Sequence, residues 1–221
     1  MIRLHHCPQS RSMRVLWLLN ELGVDFEVVT HAFDKSLREP GYLRLSPAGR
    51  VPSIEIDGMT MFESGAIIEY LCELFPDAGL GRPAGDPERA EWLTWVWFAE
   101  TISQHVAALT QQHIMLYEDA MRSPIVMKLE AARVKKCYAA IEARLAQAGD
   151  CLLASGFSAA DIGVGQAVSM ARYFAPLDAF PHVQDWYERI AARPGFRASL
   201  PGDGDRLIYT RDFYPAWEAP A

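Results

Sequence analysis

The segment from Cys7 to Ser12 contains the side chains of this sequence with the plainest chemical uses. Cys7, Ser10 and Ser12 fall where a first short strand gives way to a first helix. A thiol at a helix N-terminus can have a lowered pKa, which favours the nucleophilic thiolate. A hydroxyl there can instead donate a hydrogen bond to a thiolate bound from solution, and so activate it. An inert half-buried thiol and an ordinary helix cap are the alternatives, and the residues alone leave them open.

A second candidate site is the dipeptide Val51-Pro52, at the start of a predicted strand. Proline removes a donor from the strand ladder, so its place there needs a reason. A cis Val51-Pro52 bond would turn Val51 outward, with its N–H and C=O free to pair with a peptide lying alongside. A proline that merely opens an edge strand is the commoner explanation of such a residue taken alone.

Glu63 and Ser64 stand at the start of the third predicted helix. The free amides and positive dipole end of a helix N-terminus bind carboxylates. Ser64 adds a hydroxyl, and the Glu63 carboxylate can pair with an ammonium group. An amino-acid head group carries both charges and fits this pair, although a routine helix cap has the same composition.

The histidines give little indication of a metal site. His5 and His6 are adjacent and would face opposite sides of a strand, and His105 and His113 are eight residues apart on a predicted helix with no third ligand nearby. None of the four cysteines forms a C-x-x-C pair. We therefore expect no bound metal.

Charge and composition exclude some classes of protein. The 221-residue chain has a net charge of −7 and no run of Lys and Arg, so nucleic-acid binding is not expected. No apolar run approaches the length of a membrane span and no signal peptide is evident, so we expect a cytoplasmic protein with no membrane partner. Scattered cysteines agree with a reducing compartment.

The elements that would position these residues read as β-α-β, a loop, then β-β-α. Strands are predicted at 2–6 and 26–30 around a helix that starts near Arg11 and stops at Gly23. Asp57-Gly58 predicts a hairpin between strands at 52–56 and 60–62, and a helix follows to Pro76. This order predicts an α/β thioredoxin-like domain with a four-stranded mixed sheet.

The remainder of the chain lacks strand alternation and predicts an all-α domain. A linker rich in Gly, Pro and Asp separates a first domain, 1–77, from a second, 87–221. Ser158 and Asp161 have the spacing of a capping box. The tail from Pro201 contains aromatic residues that would dock on the body. Helices are predicted at 88–117, 124–148, 159–174 and 183–193.

Four of these segments together resemble the cytosolic glutathione transferase family. The strand and helix from Leu4 to Leu19 look like the start of bacterial members, and the loop from Ser46 to Pro52 looks like the approach to the family's cis-proline. The segment from Phe62 to Ile67 is similar to its γ-glutamyl site, and that from Phe157 to Ile162 to its helical capping motif.

The resemblance implies a glutathione-binding domain followed by a helical domain that holds a small hydrophobic electrophile, with homodimers as the usual assembly. Glutathione would be the co-substrate. Gln9, Arg50, Val51, Pro52, Glu63 and Ser64 would bind it, and a second-substrate pocket would lie near Phe98, Leu109, His113 and Tyr117.

The resemblance leaves the activating residue open. In a conjugating transferase, Ser10, or less directly Ser12, would stabilise the glutathione thiolate. Cys7-Pro8-Gln9-Ser10 also resembles the C-P-x-x of omega-type members and monothiol glutaredoxins, which would make Cys7 the nucleophile of a thiol transferase. The third alternative is a non-catalytic binding module with the same fold.

Overall fold

The computed structural model describes residues 1–215, and the last part of the predicted tail, 216–221, lies outside them. Its sheet has four strands in the order β2-β1-β3-β4. β1 and β2 are parallel, and the other two neighbouring pairs are antiparallel. The predicted four-stranded mixed sheet is therefore confirmed. The strands are β1 (Ile2–His6), β2 (Phe26–Thr30), β3 (Ser53–Ile56) and β4 (Met59–Phe62).

Three helices belong to this sheet: α1 (Ser12–Leu22), α2 (Pro40–Leu43) and α3 (Ser64–Leu74). Every residue of α1 from Ser12 to Leu19 is buried, because the helix packs on the sheet side and against later helices. Gly23 ends α1 in the left-handed conformation, φ 65°, which glycine adopts without strain. The predicted stop is thus confirmed.

The rest of the described chain is helical, as predicted. Its helices are α4 (Arg89–Thr110), α5 (Pro124–Ala148), α6 (Ala159–Ala171), α7 (Pro181–Ala191) and α8 (Pro194–Ala198). The prediction of one helix over 88–117 was wrong at its end. The α-helix stops at Thr110 and continues as a π-helical turn, Gln111–Met115, so Tyr117 lies outside it. The short α8, opened by Pro194 at its first turn, was not predicted.

The predicted capping box at the start of α6 is present. The Ser158 side chain caps the helix, and Asp161 accepts from the Ser158 N–H at 2.9 Å. Asp161 also accepts from the Leu152 N–H and from Trp186 Nε1, each at 3.0 Å. The Ser158 hydroxyl is a fourth donor, at 3.3 Å. Burial raises the pKa of this carboxyl, while its four donors partly oppose the rise. One carboxylate therefore joins the α6 cap to α7.

The tail docks on the helical domain, as its aromatic residues predicted. Tyr209 and Tyr214 are buried, and the Tyr214 N–H donates to the Tyr173 carbonyl at 2.7 Å. The Tyr209 ring stacks on Tyr173 with 4.6 Å between ring centroids, and its hydroxyl lies 2.8 Å from Thr110 Oγ1. The tail thus covers the C-terminal ends of α4 and α6.

Candidate functional site

The loop that ends at Pro52 is held by hydrogen bonds to neighbouring side chains. The Val51–Pro52 bond is cis, as the sequence indicated. The Tyr42 hydroxyl donates to the Arg50 carbonyl at 2.9 Å, and the Arg50 N–H donates to Ser46 Oγ at 3.3 Å. The Arg50 side chain is exposed and Val51 is half-buried. The loop therefore presents Val51 at the surface beside a fixed turn.

Glu63 and Ser64 form the turn into α3. Glu63 has φ 75° and ψ 109°, a left-handed conformation that a non-glycine residue seldom adopts, and its side chain is exposed. Ser64 is buried, and its Oγ donates to Glu100 Oε1 at 3.2 Å. A strained turn of this kind often marks a binding site. Here it places an exposed carboxylate at a helix N-terminus.

Behind Ser64 lies a buried arginine that the sequence analysis did not select. Arg14 is fully buried on α1, and its guanidinium donates to Ser64 Oγ at 3.3 Å and to Ser103 Oγ at 2.7 Å. It also pairs with Glu100 of α4. A charge inside the apolar run from Met13 to Leu19 was the available signal, because a buried charge needs partners.

Arg14 also connects the Glu63–Ser64 turn to the loop that contains Ser10. Its Nε donates to Gln166 Oε1 at 3.0 Å, and Gln166 Nε2 donates to the Ser10 carbonyl at 3.2 Å. Glu100 receives a second cation, Arg11, at 3.1 Å. Burial would raise the pKa of Glu100, but Arg14 and Arg11 hold it below its usual value. One network therefore supports both candidate regions and joins the sheet to α4 and α6.

Ser12 is buried among hydrogen-bonding partners. Its Oγ accepts from the Cys7 N–H at 3.0 Å and lies 2.9 Å from His6 Nδ1 and 2.7 Å from Ser10 Oγ. Burial lowers the pKa of His6 to about 4, so this ring is neutral at pH 7. With no exposed surface, Ser12 shapes the loop from within.

Ser10 is the more accessible of the two hydroxyls. It is half-buried at the start of α1, where its carbonyl accepts from the Met13 N–H at 3.1 Å. Its Oγ donates to the Cys7 carbonyl at 2.7 Å. Of the three candidate catalytic residues, Ser10 is the one that is not fully buried, and a catalytic role for it stays a prediction.

The surroundings of Cys7 are not those of an activated thiol. Its side chain is fully buried, and its sulfur lies 3.7 Å from the Pro8 carbonyl oxygen. Burial, together with the negative charges of Asp34 and Asp205, raises the pKa of the thiol to about 11. The thiol is therefore protonated at neutral pH, which favours the inert buried thiol of the two alternatives that the sequence left open.

Gln9 binds the tail with its side-chain amide. Its Oε1 accepts from the Tyr209 N–H at 2.8 Å, and its Nε2 donates to the Tyr173 hydroxyl at 3.2 Å. Gln9 has φ 55° and is buried, so the loop conformation and these contacts depend on each other. The side-chain amide of Gln9 therefore holds the tail in place. A contact of Gln9 with glutathione stays a prediction.

The four residues predicted for a second-substrate pocket have different surroundings in the structure. Leu109 is in the core, and the Phe98 ring packs edge-to-face on Trp95 with 5.3 Å between ring centroids. Tyr117 is 87% exposed. His113 lines a cavity of about 210 Å³ under the tail. Helical spacing alone did not reveal where α4 ends and which of its faces is covered.

Within residues 1–215, no three His, Cys, Asp or Glu side chains are placed to hold a metal ion. Over the same range, none of the helices combines the length and apolar character that crossing a membrane requires.

Comparison with known proteins places the chain in a family. Residues 1–73 match the model of the glutathione S-transferase N-terminal domain, and residues 103–189 match that of the C-terminal domain. Glutathione S-transferase 3 of Zea mays is 30% identical over 211 residues, which is 90% of this chain and 93% of the maize protein. The chain belongs to the glutathione S-transferase family and is an enzyme of that family.

Two further relatives bear on the site. The structure of a sphingomonad glutathione S-transferase complexed with glutathione matches 90% of this chain and 96% of that one, with a TM-score of 0.77 and 27% identity. The disulfide-bond oxidoreductase YfcG of Escherichia coli is 28% identical over 209 residues, 90% of this chain and 94% of that protein. The fold similarity to the sphingomonad protein and the sequence similarity to YfcG each cover 90% of this chain.

Proposed function

We propose that this enzyme conjugates the glutathione thiolate to a small hydrophobic electrophile. Ser10 stabilises the thiolate, and the turn of Glu63 and Ser64 binds the γ-glutamyl head. The cysteinyl backbone pairs with Val51. One observation carries the proposal, which is that two suitable groups lie beside the same sheet. Val51 precedes a cis-proline, and the Glu63 carboxylate is exposed at the N-terminus of α3. The similar sphingomonad structure contains glutathione.

Each group of glutathione has a partner of suitable chemistry in this arrangement. The Glu63 carboxylate pairs with the γ-glutamyl ammonium, and the N-terminal amides of α3 bind its carboxylate. Arg50 is exposed beside Val51 and reaches the glycyl end. A free thiol has a pKa near 8.5, so a hydrogen bond from Ser10 that lowers it by about two units makes most of the bound sulfur thiolate.

Titration calorimetry with glutathione, followed by a chlorodinitrobenzene conjugation assay, tests the proposal. We expect glutathione to bind at sub-millimolar concentration and the conjugation rate to saturate with it. Binding without turnover of any electrophile or disulfide would indicate a non-catalytic module. No binding at millimolar glutathione would contradict the proposal outright.

A second candidate function is disulfide reduction, which the similarity to the oxidoreductase YfcG favours. In this chain the reacting sulfur would be that of bound glutathione rather than Cys7, because Cys7 is buried and protonated. Reduction of hydroxyethyl disulfide by wild type and by Cys7→Ser tests this directly. Loss of the reduction in Cys7→Ser would favour a thiol transferase that uses Cys7.

We further propose a homodimer, as the family resemblance implies. Phe62 and Trp97 are 41% and 48% exposed, and they flank the Glu63–Ser64 turn. Trp97 also lies over Gly65 and donates to Glu69 at 2.7 Å. Exposed aromatic patches of this kind mark interaction sites. Light scattering should give twice the chain mass, and Trp97→Glu should shift the protein toward monomer.

Domain boundaries at 1–77 and 87–221 are also proposed, with 216–221 outside the described residues. The last helix of the sheet ends at Leu74, and α4 begins at Arg89. Limited proteolysis should cut between these two residues before it cuts elsewhere.

We propose a cytoplasmic location because all four cysteines are free thiols, as is usual in a reducing compartment. Fractionation of cells that express the full chain tests it.

A further inference from the structure

A cluster of three aromatic rings lies beside the loop that ends at Pro52. His31 directly follows β2, and its ring stacks on that of His5 in β1 with 5.2 Å between ring centroids. Tyr42 of α2 packs edge-on against both imidazoles, with its centroid 4.8 Å from that of His31 and 6.0 Å from that of His5. Tyr42 and His5 are buried, and His31 is half-buried. The three rings therefore join α2 to the sheet.

The Tyr42 hydroxyl connects this cluster to the residue that is proposed to bind glutathione. It donates to the Arg50 carbonyl at 2.9 Å and accepts from Ser53 Oγ at 3.3 Å. Burial raises the pKa of Tyr42, so the hydroxyl keeps its proton and donates at neutral pH. Arg50 and Ser53 lie on either side of Val51 and Pro52 in the chain. One phenol therefore holds both ends of the segment that presents Val51.

The two imidazoles continue this chain of hydrogen bonds to a carboxylate. His5 Nε2 lies 3.0 Å from Glu55 Oε1, and His5 Nδ1 lies 2.9 Å from His31 Nε2. The hydrogen bond from His5 lowers the pKa of Glu55, so this carboxylate is ionised at neutral pH and accepts. A neutral His5 then donates from Nε2, and His31 donates to its Nδ1. The pair can take up one proton, which Glu55 neutralises, but a second would place two cations 2.9 Å apart.

The surroundings of His31 favour its neutral form. Burial lowers the pKa of His31 below its ordinary value of 6.5, and the neighbouring His5 adds to this effect. The nearby His6 has a pKa of about 4 and is neutral at pH 7. Glu55 also lies 3.5 Å from Arg3, which offsets part of its negative charge. Both rings of the pair are therefore charged only in acid, below about pH 6.5.

We propose that Tyr42 is a positioning residue for glutathione, and that the His5–His31 pair releases it when both rings are protonated. At neutral pH, Tyr42 fixes the Arg50 carbonyl and so holds the N–H and C=O of Val51 toward the cysteinyl backbone. When both imidazoles carry a proton they repel each other, and the ring contacts that hold Tyr42 are lost. The inference rests on the proposed function, because it concerns how the same loop binds glutathione.

Calorimetry with S-methylglutathione at about pH 7.5 tests the positioning role, because this probe has no thiol that titrates. Tyr42→Phe keeps the ring but removes the donor to the Arg50 carbonyl, so the Kd should rise about fivefold. Tyr138→Phe is the matched control, since Tyr138 is fully buried and donates to the Ala175 carbonyl at 3.3 Å. Both variants should lose similar stability, but Tyr138→Phe should keep the wild-type Kd. Equal Kd values in wild type and Tyr42→Phe, or equal rises in both variants, would overturn the proposal.

The pH profile of the same Kd distinguishes the pair from a merely structural cluster. Because the pKa of His31 is lowered, the wild-type affinity should be constant above about pH 7 and fall about tenfold by about pH 5. His31→Phe keeps a ring but takes up no proton, so its affinity should fall less than about twofold over this range. Equal losses in acid would overturn the role of the pair.

The same titrations separate this inference from the proposed function. Wild type that fails to bind S-methylglutathione at millimolar concentration would overturn the proposed function, and this inference with it. Wild type that binds the probe, with no weakening in Tyr42→Phe, would overturn this inference alone.

Discussion

The Glu63–Ser64 turn and the Cys7–Ser12 loop both lead into helices of the same sheet, but they differ in how their polar atoms are occupied. Glu63 is exposed in a left-handed conformation. In the loop, Cys7 and Ser12 are fully buried, and of the three candidate catalytic residues only Ser10 keeps partial access. A helix N-terminus is therefore not sufficient to activate a side chain. Burial beside it raises the pKa of Cys7 to about 11, which is opposite to the effect of the helix dipole.

The buried Arg14 network supports both the turn and the loop, so removing Arg14 should have the largest effect. Arg14→Met leaves Glu100 without its buried partner and frees both Ser64 and Gln166. We expect a loss of about 3 kcal/mol in the free energy of unfolding, at the low end for a broken buried ion pair because Arg11 still faces Glu100. Urea denaturation measures it. A loss below about 1 kcal/mol would show that the network is dispensable.

The same network gives a pH dependence. The pKa of Glu100 is lowered in the folded protein, so its contribution is present above the unfolded value of about 4.3 and is lost as the pH falls through the folded value. Arg14→Met should therefore lose less stability on acidification than wild type, over the range below pH 5. Parallel pH profiles of the two proteins would contradict this assignment.

Substitutions of Ser10 and of Cys7 should have very different effects on the conjugation rate. Ser10→Ala removes the accessible donor to the proposed thiolate and should lower kcat/KM for chlorodinitrobenzene about 100-fold, the effect typical of losing one donor to a developing anion. Cys7→Ala removes a protonated buried thiol and should keep most of the rate. Equal activity of the two variants would remove Ser10 from the mechanism.

Ser12 should behave as a structural residue, in contrast to Ser10. Ser12→Ala leaves the buried Cys7 N–H without its acceptor, so we expect the free energy of unfolding to fall by about 1–3 kcal/mol. The melting temperature measures this. Activity at temperatures well below melting should fall far less than in Ser10→Ala. A variant as stable as wild type but inactive would reverse the roles of the two serines.

The smallest change in a measured property is expected for a substitution in the Glu63–Ser64 turn. Glu63→Gln keeps the size of the side chain but removes the charge proposed to pair with the γ-glutamyl ammonium. Glutathione affinity should fall about tenfold in calorimetry, while the melting temperature should change little because Glu63 is exposed. Glu73→Gln, which removes an exposed carboxylate near the other end of α3, is the matched control. Equal losses of affinity in both variants would count against a specific role for Glu63.

The sequence predicted what depends on local pattern. The strands, the Asp57-Gly58 hairpin, the Gly23 stop and the Ser158–Asp161 cap each follow from residues close together in the chain, and each is present. The Arg14–Glu100 pair was missed because its members are 86 residues apart. The full burial of Cys7 was left undecided, because burial depends on the packing of the whole chain, which no local motif records.

The contact between Gln9 and Tyr209 has a consequence for synthesis of the protein. The two residues are 200 positions apart, and each supplies a hydrogen bond that the other needs. At about 5–20 residues per second, a ribosome takes roughly 10–40 s to proceed from one to the other. During that interval the first strand and helix can form, but the loop that contains Ser10 has no tail to hold it. The loop that contains Ser10 therefore gains its contacts with the tail only after Tyr209 has been synthesised and has left the ribosome.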